Sequence, residues 1–134
     1  MSENAEIIDA YTRAQAIADG VLHDVTATAS EYGFRYPVAV AEHAWHEAIA
    51  WPADGGHCQD ETGRLWDVLT MAHFAIASAI RTNTATHSVE FTVARIIADD
   101  PDPEPTPKPI TLTIHIGPGD DANPVFTIMA RHDH

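Results

Sequence analysis

From Ser88 onward the apolar residues of this chain stop recurring every three or four positions and begin to alternate. Val89, Phe91 and Val93 alternate with Glu90, Thr92 and Ala94; Ile110, Leu112, Ile114 and Ile116 alternate with Thr111, Thr113 and His115. A period of 2 is that of a half-buried strand. Pro124 to Ala130 reads as a third strand, after a turn at Gly117-Pro118-Gly119-Asp120-Asp121. Between the first two strands lies Asp99-Asp100-Pro101-Asp102-Pro103-Glu104-Pro105-Thr106-Pro107-Lys108-Pro109. Proline at alternate positions opposes a sheet ladder and predicts an extended, solvated loop.

Before Ser88 the period is helical. Thr12 and Gln15 fit a capping box, and Gly20 fits a helix end. Val21 to Val25 reads as a short apolar link, followed by a helical turn or two ending at Gly33. Pro37 suits the first position of a helix carrying Ala41, Ala44, Trp45, Ala48 and Ile49 on its apolar side. Glu61 to Arg81 predicts a longer helix, apolar on so much of its circumference that it reads as central and buried. The expected fold is α+β: N-terminal helices packed on a C-terminal three-stranded antiparallel meander, in a single acidic domain over residues 1–134.

Charge limits the functions open to such a chain. Twenty Asp and Glu against seven Lys and Arg give a net charge of −13. Free nucleic acid and anionic membrane surfaces repel such a protein, so direct nucleic-acid and membrane binding are not expected. The expected partner is the basic surface of a protein or nucleoprotein complex. A folded chain of this mass exposes roughly 7,000 Å², or about one net charge per 500 Å². B-DNA carries about one per 100 Å². Mimicry of nucleic acid therefore requires carboxylates gathered on one face. Candidates are the row Glu3, Glu6 and Asp9, the loop residues Asp99, Asp100, Asp102 and Glu104, and the turn residues Asp120 and Asp121. In an extended chain the loop's ~3.1 Å rise per residue approaches the ~3.4 Å between charges along a DNA strand.

Other chemistry is weakly signalled. His43, His46 and Glu47 share a predicted helix, with His57, Cys58 and Asp60 further on, but no zinc signature is met. A solvated polar face with Glu42–His46 and His43–Glu47 contacts accounts for the pair; a metal-dependent enzyme built on His43, His46 and Glu47 is the alternative. His73 reads as a buried, hydrogen-bonded histidine, and Arg131-His132-Asp133-His134 as a frayed tail. Arg64, Trp66 and Asp67 form either a recognition surface or a helix start in which Arg64 pairs with Asp60 or Asp67. No phosphate-binding or dinucleotide motif is present, and no cofactor is expected. One cysteine, no signal-peptide pattern and no apolar stretch long enough to span a bilayer predict a cytoplasmic protein. Either a monomer or a homodimer fits.

Several segments resemble an uncharacterised family, a domain of unknown function, of small proteins from bacterial plasmids, phages and other mobile elements. They are Tyr11-Thr12-Arg13 with Ala16-Ile17-Ala18-Asp19-Gly20, Gly33-Phe34-Arg35-Tyr36-Pro37-Val38-Ala39, and Trp45. Gln59-Asp60-Glu61, Gly63-Arg64-Leu65-Trp66-Asp67-Val68-Leu69 and Met71 follow, then Gly117-Pro118-Gly119-Asp120-Asp121, Pro124-Val125 and Thr127-Ile128-Met129. The resemblance implies no activity and no catalytic residue. It implies a genetic setting in which anti-defence proteins are common. The expected function is a non-enzymatic acidic inhibitor of a host defence nucleoprotein complex, of anti-CRISPR or anti-restriction type. An accessory interaction module of the mobile element is the second expectation.

Overall fold

The computed structural model describes residues 11–133. In chain order the elements are α1 (Arg13–Ala18), β1 (Leu22–Asp24), α2 (Thr26–Tyr32), β2 (Val38–Ala41), α3 (Glu42–Ala44) continuing into a π-helical turn (Trp45–Ile49), α4 (Glu61–Arg81), β3 (Ser88–Arg95), β4 (Lys108–Pro118) and β5 (Pro124–Met129), with a closing 3₁₀ turn (Arg131–Asp133). The five strands form one sheet in the order β1-β2-β5-β4-β3.

This sheet overturns the expected three-stranded meander. β3, β4 and β5 pair antiparallel in succession, but β5 also pairs with β2, and that pairing is parallel, with Val38 opposite Phe126 and Val40 opposite Ile128. β1 then adds antiparallel to β2, with Leu22 opposite Ala41. The fold stays α+β, but its sheet is mixed and five-stranded, and two of its strands come from the N-terminal half. Val38-Ala39-Val40-Ala41 is buried at every position, so it lacks the alternation that marks a half-exposed strand. Pro37 enters this strand instead of starting a helix, and its carbonyl accepts the Phe126 N–H at 2.8 Å.

Thr12 caps α1 with the expected reciprocal box, and Gly33 closes α2 at φ 118°, in the region that favours glycine. Asp60 caps α4, accepting the Gly63 N–H at 2.6 Å. α4 buries Leu65, Val68, Leu69 and Ala72 against Phe91 and Val93 of β3, Leu112 and Ile114 of β4, Ile128 of β5, Val38 and Val40 of β2, and Ala48 and Ile49 of the π turn. The helix is not central, however. Phe74 is 64% and Ile80 66% exposed, because the sheet covers one face of α4 and nothing among the described residues covers the other.

Candidate functional site

The loop between β3 and β4 carries the densest described group of carboxylates, and its proline pattern explains its shape. Prolines 101, 103, 105, 107 and 109 remove every second N–H. Two of the remaining donors turn back onto the preceding acid. Asp102 N–H donates to Asp100 Oδ1 and Glu104 N–H to Asp102 Oδ1, each at 2.9 Å. The Asp100 carboxyl is 12% exposed and meets Lys108 Nζ at 3.4 Å. The Asp102 N–H, ahead of the opposing effect of burial, and then Lys108 hold its pKa below the ordinary value. Asp99, Asp102 and Glu104 are exposed and form no ion pair among the described residues. Pro109 lies inside β4, opposite Ala94. Pairing with β5 begins only at Thr113, so the missing N–H costs no ladder bond on that flank.

Asp120 and Asp121 sit at the other end of β4, whose 11 residues span about 35 Å at ~3.3 Å each. Asp120 accepts the N–H groups of Arg13 at 2.8 Å and Ala14 at 3.0 Å, so its carboxylate secures the first turn of α1 to the β4–β5 turn. The Arg13 guanidinium ties the same helix to β5 through Phe126 O and Thr127 Oγ1. Asp121 accepts from the Asn123 side chain and N–H, which lower its pKa. The two acidic groups thus do not converge. Glu3, Glu6 and Asp9 lie outside the described residues.

The histidines disperse. His43 Nδ1 lies 3.0 Å from Asp133 Oδ1, and its ring centroid is 6.1 Å from that of His132. His46 instead faces Glu42 at 3.6 Å and packs edge-on to His23. The expected Glu42–His46 contact is present, whereas the place of Glu47 beside His43 is taken by Asp133. Among the described residues no group of three or more His, Cys, Asp or Glu converges as metal ligands. His57 and Cys58 occupy consecutive left-handed positions in an exposed turn. His73 is exposed, against the expectation of burial, with its ring edge-on to Tyr32 and Phe34 at the rim of the core.

Two residues emerge that the sequence pattern undervalues. Asp133, expected to fray, is held at 5% side-chain exposure. It accepts the N–H groups of His43, Ala44 and Ala130 at 2.7–2.9 Å. Arg64 is 4% exposed and pairs with neither Asp60 nor Asp67. It donates to Ile49 O, Ile96 O and Gln59 Oε1 and lies over the Trp51 ring. Only its position in the first turn of α4, near other matching residues, hinted at this.

No described helix is long and apolar enough to cross a membrane. The whole chain, residues 1–134, matches the Family of unknown function (DUF6573), and the protein belongs to that family. Neither the curated proteins nor the solved structures contain a match.

Proposed function

We propose that this protein is a non-enzymatic binding protein that offers its acidic β3–β4 loop to a basic groove on a protein or nucleoprotein partner. The observation that carries the reading is the state of that loop. Asp99, Asp102 and Glu104 are exposed and unpaired among the described residues, on a backbone braced by five prolines and two side-chain turns. A loop ordered in advance loses little conformational entropy on docking. The net charge of −13 steers encounter with a cationic surface and disfavours free nucleic acid and anionic lipid. Asp120 has a lesser part, since its carboxylate already holds α1.

The family resemblance to proteins of plasmids, phages and other mobile elements makes a host defence complex, of the CRISPR surveillance or restriction type, the partner class to test first. Occupation of its nucleic-acid channel would be the inhibitory act. The test is capture from a host cell with intact defence systems, followed by mass spectrometry and a salt titration. Wild-type protein is expected to retain a nucleic-acid-binding complex that is released as salt rises. The triple substitution Asp99→Asn, Asp102→Asn, Glu104→Gln is expected to abolish capture while shifting stability by no more than about 0.5 kcal/mol. Capture that ignores salt or survives the triple substitution removes this reading.

The second reading, an accessory module that dimerises, draws on the position of β3 at the sheet edge. A solution mass of one chain eliminates it.

A further inference from the structure

Arg64 is a buried cation whose hydrogen-bond partners are all neutral. Nε donates to Ile49 O at 2.9 Å, and one terminal nitrogen donates to Ile96 O at 2.8 Å and Gln59 Oε1 at 3.2 Å. The Trp51 ring lies 4.8 Å from the guanidinium carbon. No carboxylate stands at ion-pair distance among the described residues. Enclosing a charge without a counter-ion is unfavourable by several kcal/mol. The second terminal nitrogen, Nη2, donates to no described residue and is not among the enclosed unpartnered atoms.

Arg64 lines a cavity of about 140 Å³, together with Gln59, Asp67, Arg95, Ile96 and Pro107. That volume is well above the ~15 Å³ needed for one water. Arg95 reaches the same cavity from the end of β3. Its Nε donates to Glu47 O at 3.1 Å and its Nη1 to Lys108 O at 2.9 Å, which leaves its Nη2 without a partner among the described residues. Two arginines thus line one small cavity, close enough for each charge to act on the other, in a chain of net charge −13. Burial, and then the nearby Arg95 charge, depress the Arg64 pKa, against the pull of Asp67 and Glu61.

We propose that this cavity binds a small oxyanion, held between the free Nη2 groups of Arg64 and Arg95. Guanidinium forks match the planar or tetrahedral oxygens of carboxylate and phosphate. A bound anion would supply the counter-charge that the protein withholds from Arg64. Asp67, on the cavity wall, opposes binding and sets it in a weak range. This site shares Pro107 with the β3–β4 loop but uses none of the carboxylates Asp99, Asp102 and Glu104, and its test does not require a partner.

The experiment follows the arginine Nε–H NMR signals of the whole protein during titration with inorganic phosphate, acetate or chloride at matched ionic strength. A saturable shift at Arg64 and Arg95 with phosphate, absent with chloride, is the expected result. A shift with acetate as well assigns a general oxyanion site, and a shift with phosphate alone assigns a phosphoryl site. Arg95→Gln is expected to abolish the saturable shift at Arg64. Asp67→Asn, at an exposed position, is expected to lower the phosphate midpoint several-fold. Equal response to phosphate and chloride, an Arg95→Gln protein that titrates like wild type, or an Asp67→Asn midpoint that does not fall each overturns the proposal.

Discussion

At Asp133 a single carboxylate does the capping that two separate segments lack. Ala41, before α3, has no side chain with which to cap a helix. Asp133 reaches from the closing turn and accepts the His43 and Ala44 N–H groups, as well as Ala130 N–H and the His43 ring. Burial raises its pKa, but these hydrogen bonds together outweigh burial and hold the carboxyl below 3.8. A depressed carboxylate stabilises the fold fully above its unfolded pKa, and that stability is lost as pH falls through the folded value. Asp133→Ala is therefore expected to cost about 2–3 kcal/mol at neutral pH, because it strands three N–H donors. The gap between wild type and variant, measured by urea unfolding, should close as pH drops below 3.8. A gap that persists unchanged to about pH 2, or is absent at neutral pH, contradicts this account. In sequence this residue reads as part of a frayed tail because the N–H donors it caps lie 89 and 90 residues away, and no local pattern encodes so distant a cap.

At the scale of elements, the chain announces what is local and conceals what is not. The box at Thr12, the end at Gly33, the helix from Glu61 to Arg81 and the alternation in β3 and β4 are all legible, because each is set by neighbours in sequence. β2 is not, since a four-residue strand buried on both faces shows no alternation and sits beside helix-forming alanines. Its parallel partner lies 88 residues on, beyond any periodicity. The same limit applied to the acidic groups. Each was visible, but only the length of β4 shows that the loop and the turn stand at opposite ends of a strand. Topology has a measurable consequence at β5. In a meander this strand would be an edge, with half its N–H groups open to water. Here β2 and β4 flank it, and Phe126 N–H donates to Pro37 O. Amide exchange at Phe126 and Ile128 is therefore expected to approach the rate set by global unfolding, while Ser88 to Arg95, at the sheet edge, should include much faster sites. Fast exchange at both Phe126 and Ile128 would mean that the parallel pairing does not hold.

Over the whole molecule, the net charge opposes the fold that carries it. Two charges 20 Å apart in water repel by about 0.2 kcal/mol, a small figure that accumulates over the many pairs in a chain of net charge −13. Three ion pairs are formed among the described residues. Two involve histidine, and the third joins Lys108 to Asp100 at the surface. Exposed pairs of that kind contribute at most about 1 kcal/mol each. Repulsion should therefore outweigh attraction, and the sign of the salt effect on stability follows. At about 0.01 M salt the screening length is ~30 Å, close to the ~35 Å between the two ends of β4, so distant carboxylates feel one another. At about 0.15 M it falls to ~8 Å and only neighbours interact. Tm is expected to rise by several degrees between these two sodium chloride concentrations, and the triple neutralisation of Asp99, Asp102 and Glu104 should reduce that rise. A Tm that falls with salt would mean that attraction within the chain dominates. Capture of the proposed cationic partner should answer to the same field with the opposite sign, strengthened at low salt where the free protein is weakened. The stabilisation a partner confers should consequently be largest where the isolated chain is least stable, and should shrink as salt is added.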